Sequence, residues 1–421
     1  MIRRGDDRRA TFAGVLVAAL FLALGAASAA LSIAHGSGSA WPALHLVLAG
    51  AAGTAIASVL PFFTAALAQV APAAGAIRIG AITLIAGGAL GVTIGVSVPL
   101  TSLAVLGGCA YLGGLGLTAV AAFLPLRKRL GGRSSLVPMA YGIALMQVAI
   151  GVSLATAMVA GWAPVVANWA SLKPAHAWLN VFGFLSVVVA ATLLHLAPTV
   201  AGTRIRPRPS ARIALFGLMA GAPLVALGFA TGSDSVARIG ALIELSGGVA
   251  LAFHAAAVQR DRGRWTSDLG WHRFAGLSLL AAPVWFLVAT SIAVWRVLEF
   301  GAVPGAWSVA AIGVPLVLGW TAQVIIGAWT QLVPAIGPGD QFAHAAQRRR
   351  LGRWGTVRVL AWNGAVAILT VGLLAELDVI AGIGAGVLGA CLVVALGLLA
   401  STIPRAMSKT EAVTPRSTIA S

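Results

Sequence analysis

Charge in this chain is confined to short breaks between long apolar runs, and that pattern decides the fold class. The runs fall at about 12–34, 42–68, 79–99, 102–126, 136–160, 175–200, 213–231, 236–258, 274–295, 306–334, 359–375 and 379–403. One crossing of the hydrocarbon takes about 20 apolar residues, so the expectation is an all-α polytopic membrane bundle of twelve helices. Composition agrees. Only 9% of the 421 residues are charged and 59% are hydrophobic, whereas a soluble domain carries about 25% charged residues. A soluble enzyme, a disordered chain and a coiled coil are excluded. The expected layout is one transmembrane domain over 1–404 and a disordered cytoplasmic tail over 405–421, with lipid as the surrounding partner.

The net charge of +17 could mark a nucleic-acid binder. The positive-inside rule gives a different reading, and it predicts alternation along the chain. With the N-terminus inside, only Lys173, Arg238 and Arg296 of the 28 Lys and Arg fall on the outer side. The charge is therefore topology, and no nucleic-acid partner is expected. Both termini are expected in the cytoplasm of a bacterial inner membrane. The first run has a basic start (Arg3, Arg4, Arg8, Arg9) and the small stretch Ala27-Ser28-Ala29, as a secretory signal would. It is longer than the apolar core of a cleaved signal, so a retained helix is expected.

Three stretches repeat. The second, sixth and tenth runs contain Ser58-Val59-Leu60-Pro61, His195-Leu196-Ala197-Pro198 and Gln331-Leu332-Val333-Pro334, with prolines 137 and 136 residues apart. The following runs open at Arg78, Arg212 and Arg358. The next share Leu106-Gly107-Gly108-Cys109, Leu245-Ser246-Gly247-Gly248 and Leu388-Gly389-Ala390-Cys391. The chain reads as three units of four helices, about 1–133, 134–266 and 267–404. Two halves of six would have favoured a transporter with paired repeats.

Ionisable side chains inside a bilayer are costly and are functional candidates. Seven histidines are present: His35, His45, His176, His195, His254, His272 and His344. His45 and His176 share a depth near the outer side, on the second helix of units one and two. Neutral imidazole ligates haem iron and copper, and bundle cores hold such cofactors on facing helices. The alternative is an interfacial histidine bonded to a loop carbonyl or headgroup. His195 lies 19 residues beyond His176, about 28 Å deeper at 1.5 Å per residue, and is a weaker ligand candidate. His254 and His272 flank a basic loop and are expected in solvent, as is His344. Glu244 is the one acid well inside a run, a candidate for a proton or ion path. Its neighbours Arg238 and His254 are not at i,i+4 spacing. Trp41, Trp162, Trp169, Trp178, Trp295, Trp307 and Trp354 fall near run ends, as an aromatic belt does. Trp320, Gln323 and Trp329 lie inside the tenth. Cys109 and Cys391 are far apart in apolar runs and are expected as buried, inert thiols. The sequence contains no phosphate loop, nucleophile elbow or dinucleotide fingerprint.

The stretch His176-Ala177-Trp178-Leu179-Asn180-Val181-Phe182-Gly183, continuing to Leu193-Leu194-His195-Leu196-Ala197-Pro198, resembles a helix of divergent relatives of haem-copper oxidase subunit I. It is also similar to stretches in the NnrS family of haem- and copper-containing membrane proteins. Membrane regions associated with actinobacterial copper nitrite reductases and multicopper oxidases carry such stretches as well. The resemblance implies twelve helices in three pseudo-repeats. It implies a haem ligand at His45 and a copper ligand at His176. The second histidine of the family's His-Ala-His pattern is Trp178 here, and the seventh and tenth runs carry none. The full oxidase ligand set is therefore missing. The expectation is a haem- or copper-binding protein of electron transfer, nitrogen-oxide metabolism or copper handling, with a periplasmic copper protein or redox protein as partner. A secondary permease and a cofactor-free anchor or assembly factor are the alternatives.

Overall fold

The computed structural model describes residues 4–34, 39–128, 136–262, 270–303, 309–336 and 341–407. Among these, every regular element is a helix. Twelve helices are long and apolar enough to cross a membrane: Arg9–Ser32 (α1), Trp41–Ala68 (α2), Gly75–Ser97 (α3), Thr101–Arg127 (α4), Leu136–Val159 (α5), Trp169–Ala201 (α6), Pro209–Thr231 (α7), Asp234–Arg260 (α8), Arg273–Phe300 (α9), Ala311–Ile336 (α10), Gly355–Leu374 (α11) and Asp378–Ile403 (α12). The chain is a multi-pass helix bundle. Two details differ from the sequence expectation. Helix α6 starts at Trp169, so Lys173 lies within its first turns and not in a loop. The last helix runs to Met407, past the boundary expected at 404.

The closest helix pairs are α3/α4, α7/α8 and α11/α12, the third and fourth helices of each unit. Small residues cause this. A methyl added at Gly95, Gly228 or Gly372 would lie 2.5 Å from the backbone nitrogen of Ala104, Ala237 or Ala381. Three residues beyond each alanine stands Gly107, Gly240 or Gly384, where an added methyl would lie 2.6 Å from a backbone nitrogen of the facing helix. In lipid there is no hydrophobic drive between helices, and close backbone contact through small residues supplies the packing instead. The turns match bond for bond. Leu100, Ser233 and Leu377 donate to the carbonyls of Gly95, Gly228 and Gly372, and Ala104, Ala237 and Ala381 then donate to Leu100, Ser233 and Leu377.

This register corrects one sequence reading. The stretches starting at Leu106, Leu245 and Leu388 are not equivalent. Gly389 meets nothing within 4 Å, and Gly247 packs deeper along the hairpin on Leu218. The equivalent glycines are Gly107, Gly240 and Gly384. Alanine- and glycine-rich sequence offers several similar alignments, and only the backbone contacts choose among them.

The second helix of each unit departs from α geometry in its upper half. Leu46–Ala52 in α2, Leu179–Ser186 in α6 and Pro315–Ala322 in α10 are π-helical. Such widened turns free a backbone carbonyl and often mark functional sites. Side chains five residues on take up two of them: Ser186 Oγ donates to Val181 O at 2.9 Å, and Thr321 Oγ1 to Leu316 O at 3.0 Å. Each segment holds a glycine that faces a large side chain of the preceding helix: Gly50 faces Phe21, Gly183 faces Gln147 and Gly319 faces Trp285. Helices α6 and α10 are the most deeply buried of the twelve. Outward faces carry exposed apolar residues such as Leu106, Phe216, Phe253, Leu360 and Val393, which suits contact with lipid.

Loops lock the two ends. Arg208 and Arg206 reach Asp261 at 2.5 and 3.6 Å, joining the α6–α7 connection to the end of α8. The Arg208 hydrogen bond, opposed by desolvation and helped by the charges of Arg208 and Arg206, holds the Asp261 carboxyl below its ordinary range. At the opposite end Asp234 accepts from Ala302 N at 2.7 Å. Cys109 is exposed and Cys391 half-buried, both as free thiols. The expectation of two buried thiols is thereby corrected. An uncharged thiol is compatible with an apolar surround, so nothing forces Cys109 inward.

Candidate functional site

His45 stands at the last α-helical position before the π segment of α2. Its Nδ1 lies 2.9 Å from Trp41 O, and its ring stacks on the Trp41 indole at 4.0 Å. His176 stands just before the π segment of α6. Its Nδ1 lies 2.8 Å from Gly151 O on α5. A carbonyl can only accept, so in both rings Nδ1 carries the proton and Nε2 keeps its lone pair. Asn180 Nδ2 lies 3.1 Å from His176 Nδ1 and 3.4 Å from its Nε2, and with Nδ1 protonated only Nε2 can accept from the amide. No group among the described residues pairs with His45 Nε2. Both rings are half-buried and lie within electrostatic range of each other. The carbonyl bond expected of an interfacial histidine is present. It is also the bond that orients a metal-ligating imidazole, so the two readings part only at Nε2.

The two histidines are not strict repeat equivalents. Gly50 and Gly183 are 133 residues apart, and 45 plus 133 is 178. The structural counterpart of His45 is therefore Trp178, and His176 falls two residues before it. Trp178 is also not part of an interfacial belt. It is 2% exposed, and its Nε1 donates to Glu244 Oε2 at 2.7 Å. Trp162, Trp295 and Trp354 are exposed, as the belt reading expects, and Trp307 lies outside the described residues.

Glu244 is fully buried on α8, seven residues past Ala237, against the backbone of Gly221. Its Oε1 has no hydrogen-bond partner among the described residues. The corresponding residue of unit one, seven past Ala104, is Tyr111. The Tyr111 hydroxyl donates to Ala49 O in the π segment of α2 at 3.3 Å. The fourth helix thus addresses the π-helical region of the second in both units, once with a phenol and once with a carboxyl. In unit three the position is Leu388.

The remaining histidines are elsewhere. His195 follows His176 on the same helix by 19 residues, and the structure does not join it to the pair. Its ring faces the Ala191 carbonyl one turn earlier on the same helix. His254 is 4% exposed, correcting the expectation of a solvated ring. It lies against Ser210, with Nδ1 3.4 Å from Oγ, because α7 and α8 close tightly over it. His344 is half-buried on the short helix Gln341–Leu351. His35 and the His272 side chain lie outside the described residues. Among the described residues no three His, Cys, Asp or Glu side chains cluster as metal ligands do.

Sequence reasoning missed Gln147 and Asn180. Gln147 is buried on α5, donates to Met219 O at 3.4 Å and leaves Oε1 unpaired. Asn180 leaves Oδ1 unpaired beside Gly151. Each is a lone amide in an apolar run, and that cost alone was a usable signal. Below them an aromatic row packs the core, from Trp178 to Phe182 at 4.5 Å, on to Phe286 at 6.3 Å and to Trp320 at 5.0 Å.

No protein-family model matches this chain, and no curated protein matches it significantly.

Proposed function

We propose that this multi-pass membrane protein carries a haem or copper on His45 and His176, and that it serves respiratory electron transfer, nitrogen-oxide metabolism or copper handling. The observation that supports this is the matched protonation of the two rings. Each spends Nδ1–H on a backbone carbonyl and leaves Nε2 unprotonated, open at His45 and 3.4 Å from the Asn180 amide at His176, on half-buried positions within electrostatic range of each other. The donor set is two neutral imidazoles with no third protein ligand among the described residues. That set suits a bis-imidazole haem or a low-coordinate copper rather than a closed tetrahedral zinc site. Bound there, the metal supplies one-electron transfer. The residues of the chain do the rest: Trp41 and Gly151 fix the rings through their carbonyls, and Asn180 restrains His176. A periplasmic copper or redox protein would be the partner at the outer end. The test is purification from cells supplied with haem and copper, followed by an absorption spectrum and metal analysis. The expected result is stoichiometric metal in the wild type and loss in His45→Ala and His176→Ala. A colourless, metal-free protein would refute the reading.

A second reading rests on Glu244. A buried carboxyl with one oxygen unpartnered is a protonation site, as a proton-coupled permease requires. Uptake into vesicles that is abolished by Glu244→Gln and unaffected by His45→Ala would favour it.

A further inference from the structure

A second polar site lies at the other end of the bundle, apart from the two histidines. A cavity of about 20 Å³ opens between α9, α10, α11 and α12, lined by Phe274, Ser278, Gln323, Arg358, Trp362 and Cys391 among others. Gln323 is 3% exposed, and neither its Nε2 nor its Oε1 has a hydrogen-bond partner among the described residues. A buried primary amide with nothing to bond is costly and calls for a partner. Arg358 is 8% exposed. Its Nη1 donates to Leu351 O at 2.8 Å and Arg353 O at 3.3 Å, and the guanidinium lies 4.0 Å over the Phe274 ring. Among the described residues no carboxylate pairs with it. Trp362 is already committed, because its Nε1 donates to Leu318 O at 3.0 Å.

We propose that this cavity binds a small monovalent anion of halide size, held by the Arg358 charge and the Gln323 amide. The balance of the lining favours an anion: the Arg358 guanidinium, the Gln323 amide N–H and the Ser278 hydroxyl stand against one amide carbonyl, Gln323 Oε1, and no carboxylate among the described residues lines the cavity. A buried guanidinium without a counter-charge is a large electrostatic cost that an anion relieves. Size supports the same class. The volume exceeds the roughly 10–15 Å³ that one water needs, and it is far below the roughly 300 Å³ at which organic-ligand pockets begin. The site sits at the bundle end that carries the basic loops, whose field would concentrate anions there.

The experiment uses the purified full-length protein in detergent, with chloride as probe and gluconate at matched ionic strength as control. Chloride-35 line broadening should be saturable in the wild type. Gln323→Leu and Arg358→Gln should each weaken it at least about tenfold, the effect of losing one hydrogen bond to a charged group. Cys391 lines the same cavity, so its alkylation should slow at least about threefold in chloride, the shielding expected when the site is mostly filled. If Arg358→Gln does not fold, Gln323→Leu alone decides. Broadening unchanged in Gln323→Leu, or a Cys391 rate equal in chloride and gluconate, would mean a water-filled void and would overturn the proposal.

Discussion

The glycine-packed hairpins and the π-helical segments use one residue type for opposite purposes. In α3/α4, α7/α8 and α11/α12, glycine removes volume so that two backbones approach closely. In α2, α6 and α10, glycine makes a notch that a side chain of the preceding helix enters: Phe21, Gln147 or Trp285. The hairpins are regular and almost entirely apolar at their contacts. The π segments are irregular, and polar groups gather beside them: His45, His176, Trp178, Asn180 and Gln147. The hairpins are scaffold. The candidate chemistry lies where the backbone ladder is interrupted and the neighbouring helix must compensate.

The largest effect should come from filling a hairpin contact. Gly228→Leu drives a side chain into the Ala237 backbone, which cannot move aside, and should cost more than the roughly 1–3 kcal/mol of ordinary overpacking. Gly50→Ala meets the Phe21 ring, a side chain and not a backbone, and should stay within that range. Thermal unfolding in detergent compares the two, and equal losses would erase the distinction. Next in size is Trp178→Phe. It leaves Glu244 without its donor and should cost about 1–3 kcal/mol. The double substitution with Glu244→Leu should recover much of that loss, read as a mutant cycle on unfolding.

Substitutions at the histidines should act on ligand and not on fold. His176→Ala should abolish metal content and leave unfolding close to wild type. A large loss of stability instead would make the Gly151 bond structural. A small gain is expected at the α11–α12 turn. Glu376 holds a left-handed φ of 56°, where the equivalent residue of unit two is Gly232 at 66°. Glu376→Gly should stabilise by about 1 kcal/mol, the strain of a non-glycine residue there. The smallest effect concerns Asp261. Its carboxyl is held low in the folded state, so the stabilisation is present above the usual Asp range and is lost as pH falls through the depressed value. Asp261→Asn should remove that acid-dependent component, seen as a flatter unfolding midpoint against pH.

The twelve spans were legible in the sequence because hydrocarbon thickness sets a length that apolar runs must meet. Sidedness placed His45 and His176 at one depth but could not say whether they approach, and the structure brings them within electrostatic range of each other. The bond between Trp178 and Glu244 was not. The two residues are 66 apart, and a tryptophan near a run end is ordinarily interfacial. His254 was misplaced for a similar reason: proximity to a basic loop says nothing about how tightly two helices close. The repeat register was obscured by composition. With 51 glycines in 421 residues, a chance match is as easy to find as a true one. The hairpin contacts reveal the pattern of glycine, alanine nine residues on and glycine three further.

The π segments also act as phase shifters. Each widened turn accommodates a residue that an α-helix of the same length would not, and one residue is about 100° of rotation. Everything on the His45 side of Leu46–Ala52 is turned by that angle relative to the lower half of α2. The lower half faces the core in one orientation while the upper half presents His45 in another. Deleting a single residue inside that segment would restore a continuous α ladder. It would also swing His45 away from His176 without altering either ring, so the aim of the imidazole is set by the length of a stretch that contains no histidine.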